Sequence, residues 1–134
     1  MLLIVLAAAL IGCGGAAPTA TMTGCATSDG KQVYGVLESI SKDWETAANR
    51  ADTAAASALG SAIEGMRSVR NGLNGQQFPA CGKAAQSAFV TVMDTTIAAF
   101  TAEQEQKKAD SDALFAKARE QGEAFKAEVQ KLPR

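Results

Sequence analysis

Residues 30–73 read GKQVYGVLESISKDWETAANRADTAAASALGSAIEGMRSVRNGL. Apolar side chains recur at Val33, Leu37, Ile40, Trp44, Ala47 and Ala51, at spacings of 4, 3, 4, 3 and 4. Those spacings put them on one face of a helix. The pattern resumes at Ala55, Leu59, Ala62 or Ile63, Met66, Val69 and Leu73. Two architectures fit. One is an unbroken helix over 30–73 that folds back as a long hairpin, a rod-like spacer. The other turns near Asn49-Arg50-Ala51-Asp52-Thr53 and builds a compact bundle. Asn49 tolerates a left-handed backbone and Asp52 or Thr53 suits a cap, but neither Gly nor Pro marks the break. Upstream, Asp29 reads as an N-cap with Gln32 three residues later.

Outward from this stretch the helical signal continues. Asn71-Gly72-Leu73-Asn74-Gly75 is a stop-and-turn run, and Pro79 suits the first turn of a new helix. The next face runs Cys81, Ala85, Phe89, Val92 or Met93, Ile97 and Phe100. From Thr101 to Asp112 the pattern fades into TAEQEQKKADSD. It returns at Leu114 or Phe115, Ala118, Phe125, Val129 and Leu132. Of the 134 residues 47% are hydrophobic, but 28 of these are alanine and only seven residues are aromatic. Alanine excess with few β-branched residues favours helices over sheets.

The chain contains no histidine, which removes the commonest general base and metal ligand. Neither a zinc pattern nor a Glu-x-x-His pair is available, and no phosphate-binding Gly-rich loop occurs. The expectation is no catalytic residue, no metal and no cofactor. Asp110 and Asp112 are read as capping the last helix, and Glu120 and Glu123 as an exposed ion-pair network with Arg119 and Lys126. Charge is balanced at 13 Lys+Arg against 14 Asp+Glu. Residues 14–79 carry 5 basic and 6 acidic side chains, and residues 80–134 carry 8 of each. No basic stripe argues for nucleic acid, and no run of basic residues argues for acidic lipid.

The N-terminus reads MLLIVLAAALI before Gly12-Cys13. Eleven apolar residues make a helix of about 16 Å, short of a membrane span but right for a signal h-region. Leu10-Ile11-Gly12-Cys13 resembles the lipobox of bacterial lipoproteins, although no Lys or Arg precedes it. The resemblance implies cleavage before Cys13 and acylation there, and several acyl chains suffice for stable anchoring. By resemblance to Gram-negative sorting, Gly14 implies the outer membrane, facing the periplasm; elsewhere the lipid would sit in the outer face of the cell membrane. Gly14-Gly15-Ala16-Ala17-Pro18-Thr19-Ala20-Thr21 suits a flexible tether.

With Cys13 acylated, Cys25 and Cys81 remain, and an even pair outside the cytosol reads as a disulfide. That pairing discriminates between the two architectures. In the hairpin, the start of the first helix lies about 60 Å from Leu73. The link from Cys25 to Gly30 spans at most about 18 Å, so Cys25 would not reach Cys81. A turn near residue 50 brings both to one end. The expected fold is therefore all-α: a small antiparallel bundle of three to four helices near 30–49, 52–73, 79–104 and 111–132. The expected organisation is 1–12 signal, 13–28 lipidated tether and 29–134 bundle.

Phe78-Pro79-Ala80-Cys81, Met93-Asp94 and Ile97-Ala98-Ala99-Phe100 loosely resemble uncharacterised helical bacterial lipoproteins. That resemblance supports a bundle and implies no activity. The expected role is a non-catalytic binding or scaffold module, tethered to membrane through Cys13, with an envelope protein or another copy as partner. Phe115, Phe125, Val129 and Leu132 are the expected partner surface, since their stripe follows a polar break. The rival is a ligand carrier or enzyme with a pocket near Trp44.

Overall fold

A computed structural model describes residues 25–134. Four helices follow in order: α1 Thr27–Asp52, α2 Ala56–Asn74, α3 Lys83–Gln104 and α4 Lys108–Gln130. A single 3-10 turn, Ala80–Gly82, leads into α3. Among the described residues there is no strand, and no helix is long and apolar enough to cross a membrane. The links are short, so sequence neighbours pack antiparallel. Each helix rests mainly on the next, and α3 with α4 is the most closely packed pair.

The break in the 30–73 stretch falls at Thr53–Ala55, a few residues later than Asn49–Thr53. Thr53 closes α1: its backbone N–H (3.1 Å) and its hydroxyl (2.9 Å) both donate to the Asn49 carbonyl. Ala55 is extended at φ −63°, ψ 152°, and its carbonyl accepts the N–H groups of Ala58 and Leu59 to start α2. Every angle quoted suits an alanine, which is why no glycine or proline marks the turn. Burial supplies the cause: Ala51 and Leu59 lie in the core on either side. The unbroken helix over 30–73 is thereby excluded.

The other boundaries shift by a turn or less. The first helix starts at Thr27, so 27 and 28, expected in the tether, belong to it. Asp29 is not the N-cap. It stands three residues in, and its carboxylate accepts the N–H of Ala26 at 3.0 Å, where the helix dipole also favours an anion. Only Glu105–Lys107 interrupt the polar stretch 101–112. Asp110 and Asp112 therefore lie inside α4 and cap nothing; Asp112 pairs with Lys108 at 3.0 Å. The α3 end is a Schellman closure, with Lys107 N–H on the Ala102 carbonyl (2.8 Å) and Gln106 N–H on that of Glu103 (2.9 Å). Between α2 and α3 the Gln86 amide donates to the carbonyls of Leu73 (2.8 Å) and Gln76 (3.0 Å), satisfying groups the helix end leaves open.

The core takes the expected faces: Val33, Leu37 and Trp44 from α1, Leu59, Ile63, Met66 and Leu73 from α2, and Phe89, Val92, Met93 and Phe100 from α3. Ile40, Ala47 and Val69 are half-buried at its edge. Phe89 stacks on Phe125 with centroids 4.4 Å apart, and Phe100 meets Phe115 edge-on at 5.0 Å. The partner-surface expectation is corrected here. Phe115, Phe125, Val129 and Leu132 are all buried, and the α3 residues Phe100 and Phe89 pack directly on Phe115 and Phe125.

Candidate functional site

Two regions of the bundle present something to the outside. The first is the end at which Cys25 enters. Cys25 and Cys81 form a disulfide across 56 residues, with Cα atoms 5.8 Å apart. It ties the segment before α1 to the 3-10 turn before α3. Gly82 permits the approach: a Cβ there would lie 2.7 Å from Val33 Cγ2. On the other side the C-terminal segment crosses α1 at Gly30, where a Cβ would fall on the Pro133 carbonyl. Arg134 sits over the Tyr34 ring at 5.7 Å, a cation–π distance. Gly30, Lys31, Tyr34, Leu132, Pro133 and Arg134 line a small cleft of about 280 Å³ between them.

The second region is a lateral cleft of about 860 Å³ where α2, α3 and α4 meet. Ile97, Ala98, Ala102, Ala113 and Leu114 give it apolar surface. Arg67 and Arg70 stand on the α2 side, with Glu105, Lys107 and Asp110 where α3 passes to α4. Arg70 clamps Asp94 in a two-point fork, Nε to Oδ1 at 2.7 Å and Nη2 to Oδ2 at 2.8 Å. That hydrogen bond raises the Arg70 pKa further; desolvation opposes it and the Asp94 charge adds to it. Lys107 donates to Glu105 at 2.6 Å, and its pKa is raised first by that bond and then by Coulomb attraction to the same carboxylate. Both cations stay charged across the physiological range.

Of the sites read from sequence, Cys13 lies outside the described residues. Cys25 and Cys81 come together. Trp44 is 2% exposed, packed in the core. Glu123 does pair with Lys126, at 2.7 Å. Sequence reading missed the Arg70–Asp94 fork, whose partners lie 24 residues apart with no periodic signal joining them. Among the described residues no three acidic or cysteine side chains gather as a metal cage requires. Set against protein-family models, curated proteins and solved structures, the chain finds no match in any of the three.

Proposed function

We propose that this chain is an exported lipoprotein whose helical bundle is a non-catalytic binding or scaffold module of the cell envelope. Residues 1–12 are its signal, Cys13 its lipid attachment site, and the segment up to α1 its tether. The observation that carries the reading is the cysteine pairing. Cys25 and Cys81 occupy each other, which leaves Cys13, inside the lipobox-like run, as the one thiol for another chemistry. A structural disulfide also suits an oxidising compartment.

The mechanism is tethering. Twelve residue steps separate Cys13 from Cys25, a reach of at most about 40 Å. The lateral cleft lies on the side of the bundle, beside α3 from Asp94 to Ala102, the Asp94 end being 13 residues past Cys81. It would face a partner rather than the lipid, and its apolar surface with charged margins suits an envelope protein or a second copy. Metabolic labelling with a fatty-acid analogue tests the anchor. Label is expected on the parent chain and absent from Cys13→Ser; equal labelling of the two would overturn it.

A further inference from the structure

Basic residues scattered through the sequence converge at the end of the bundle where Cys25 enters. Lys31 lies in the first turns of α1, Lys83 opens α3, and Lys131 and Arg134 follow α4. The disulfide, the Gly82–Val33 approach and the Pro133–Gly30 crossing hold these three segments together. Against the four cations stand two side-chain carboxylates, Asp29 and Glu128, so the side chains at this end sum to +2, or +1 with an α-carboxylate on Arg134. Asp29 is engaged at the N-terminus of α1 and Glu128 with Lys131. Among the described residues Lys31, Lys83 and Arg134 enter no ion pair, and all three are exposed. Arg50, Lys117 and Arg119 are unpaired too, but stand at other levels of the bundle.

The far end has the opposite sign. Asp52, Glu103, Glu105, Asp110 and Asp112 face Arg50, Lys107 and Lys108, a formal charge of −2. The bundle is thus a dipole along its axis, with its positive pole where the tether joins. Chain neighbours do not produce this, since both halves of the sequence are close to neutral.

We propose that the Lys31, Lys83 and Arg134 end docks on an anionic lipid surface, so that the anchored bundle stands upright with its lateral cleft away from the membrane. This rests on the anchor proposed at Cys13. A tether holds the positive end within a short distance of the headgroups, where each basic side chain contributes on the order of a fivefold gain in the docked population. The opposite pole is repelled by the same surface, and an inverted pose would need the tether stretched to nearly its full reach, since α1 alone is about 39 Å long.

The test imposes the anchor chemically, so it does not depend on what the cell does to Cys13. The full chain, with Cys25 and Cys81 oxidised, is coupled through the Cys13 thiol to a maleimide lipid. It is placed in vesicles of phosphatidylcholine alone, or of phosphatidylcholine mixed with phosphatidylglycerol. Acylation of each lysine by a water-soluble amine reagent is followed by mass spectrometry. On the mixed vesicles Lys31, Lys83 and Lys131 are expected to react severalfold more slowly, with Lys42, Lys108 and Lys117 unchanged. Ionic strength of about 1 M, where the screening length falls to about 3 Å, should abolish the difference. In the Lys31→Gln/Lys83→Gln/Arg134→Gln variant, with helicity checked by circular dichroism, protection of Lys131 should be lost. Equal rates on both vesicle types, protection of Lys108 instead, or a protected Lys131 in the triple variant would each overturn the proposal. Failed labelling of Cys13 in the cell would remove the anchor reading while leaving this result intact.

Discussion

Gln106 stands at φ 61°, in the left-handed region, to complete the closure of α3. A side chain with a Cβ pays about 1–2 kcal/mol there, whereas glycine does not. Gln106→Gly is therefore expected to stabilise the fold by about 1 kcal/mol in chemical denaturation, after glycine's larger unfolded-state entropy is subtracted. Elsewhere the glycines divide by what surrounds them. Gly65 and Gly122 lie inside α2 and α4, and a Cβ on either meets nothing within 4 Å. Gly65→Ala and Gly122→Ala should each raise stability by about 0.5–1 kcal/mol. Gly82→Ala should lower it, because the new methyl strikes Val33, and Phe78 Cβ stands only 3.3 Å away. A midpoint shift of the same sign in all three variants would show that propensity, not packing, governs these positions.

At the scale of the element, α4 carries the sharpest revision. Its apolar stripe is visible in the sequence, but the polar run before it reads as a break in the helical pattern. In fact only three residues leave regular helix, and the α3 phenylalanines seat the α4 stripe in the core. Phe125→Ala is expected to cost about 3–5 kcal/mol of unfolding free energy, the loss typical of a buried aromatic. A docking residue on a free surface would change stability by less than about 0.5 kcal/mol. The same contrast explains what was legible. Helical faces such as Val33, Leu37 and Trp44 were readable because period and burial coincide. The Thr53–Ala55 turn was faint because alanine satisfies its angles and tertiary burial of Ala51 and Leu59 decides it. The Arg70–Asp94 fork and the basic end were invisible, because each joins residues on separate helices without any local pattern.

For the whole molecule, the alanine-rich composition permits close packing of α3 on α4 but gives each buried residue little apolar area. The disulfide offsets part of that deficit. Closing a loop of 56 residues stabilises by about 4 kcal/mol in the chain-entropy model. Cys81→Ser should lose about that much in denaturant unfolding while keeping its helical spectrum at low denaturant. The central claim is a division of labour among three cysteines, two to lock the bundle and one to hold the membrane. Peptide mapping by mass spectrometry, without reduction, of the protein isolated from envelope membranes tests it most directly. The account predicts a linked Cys25–Cys81 peptide pair and an N-terminal peptide that begins at an acylated Cys13. An unmodified Cys13, or a disulfide between Cys13 and either partner, would contradict it.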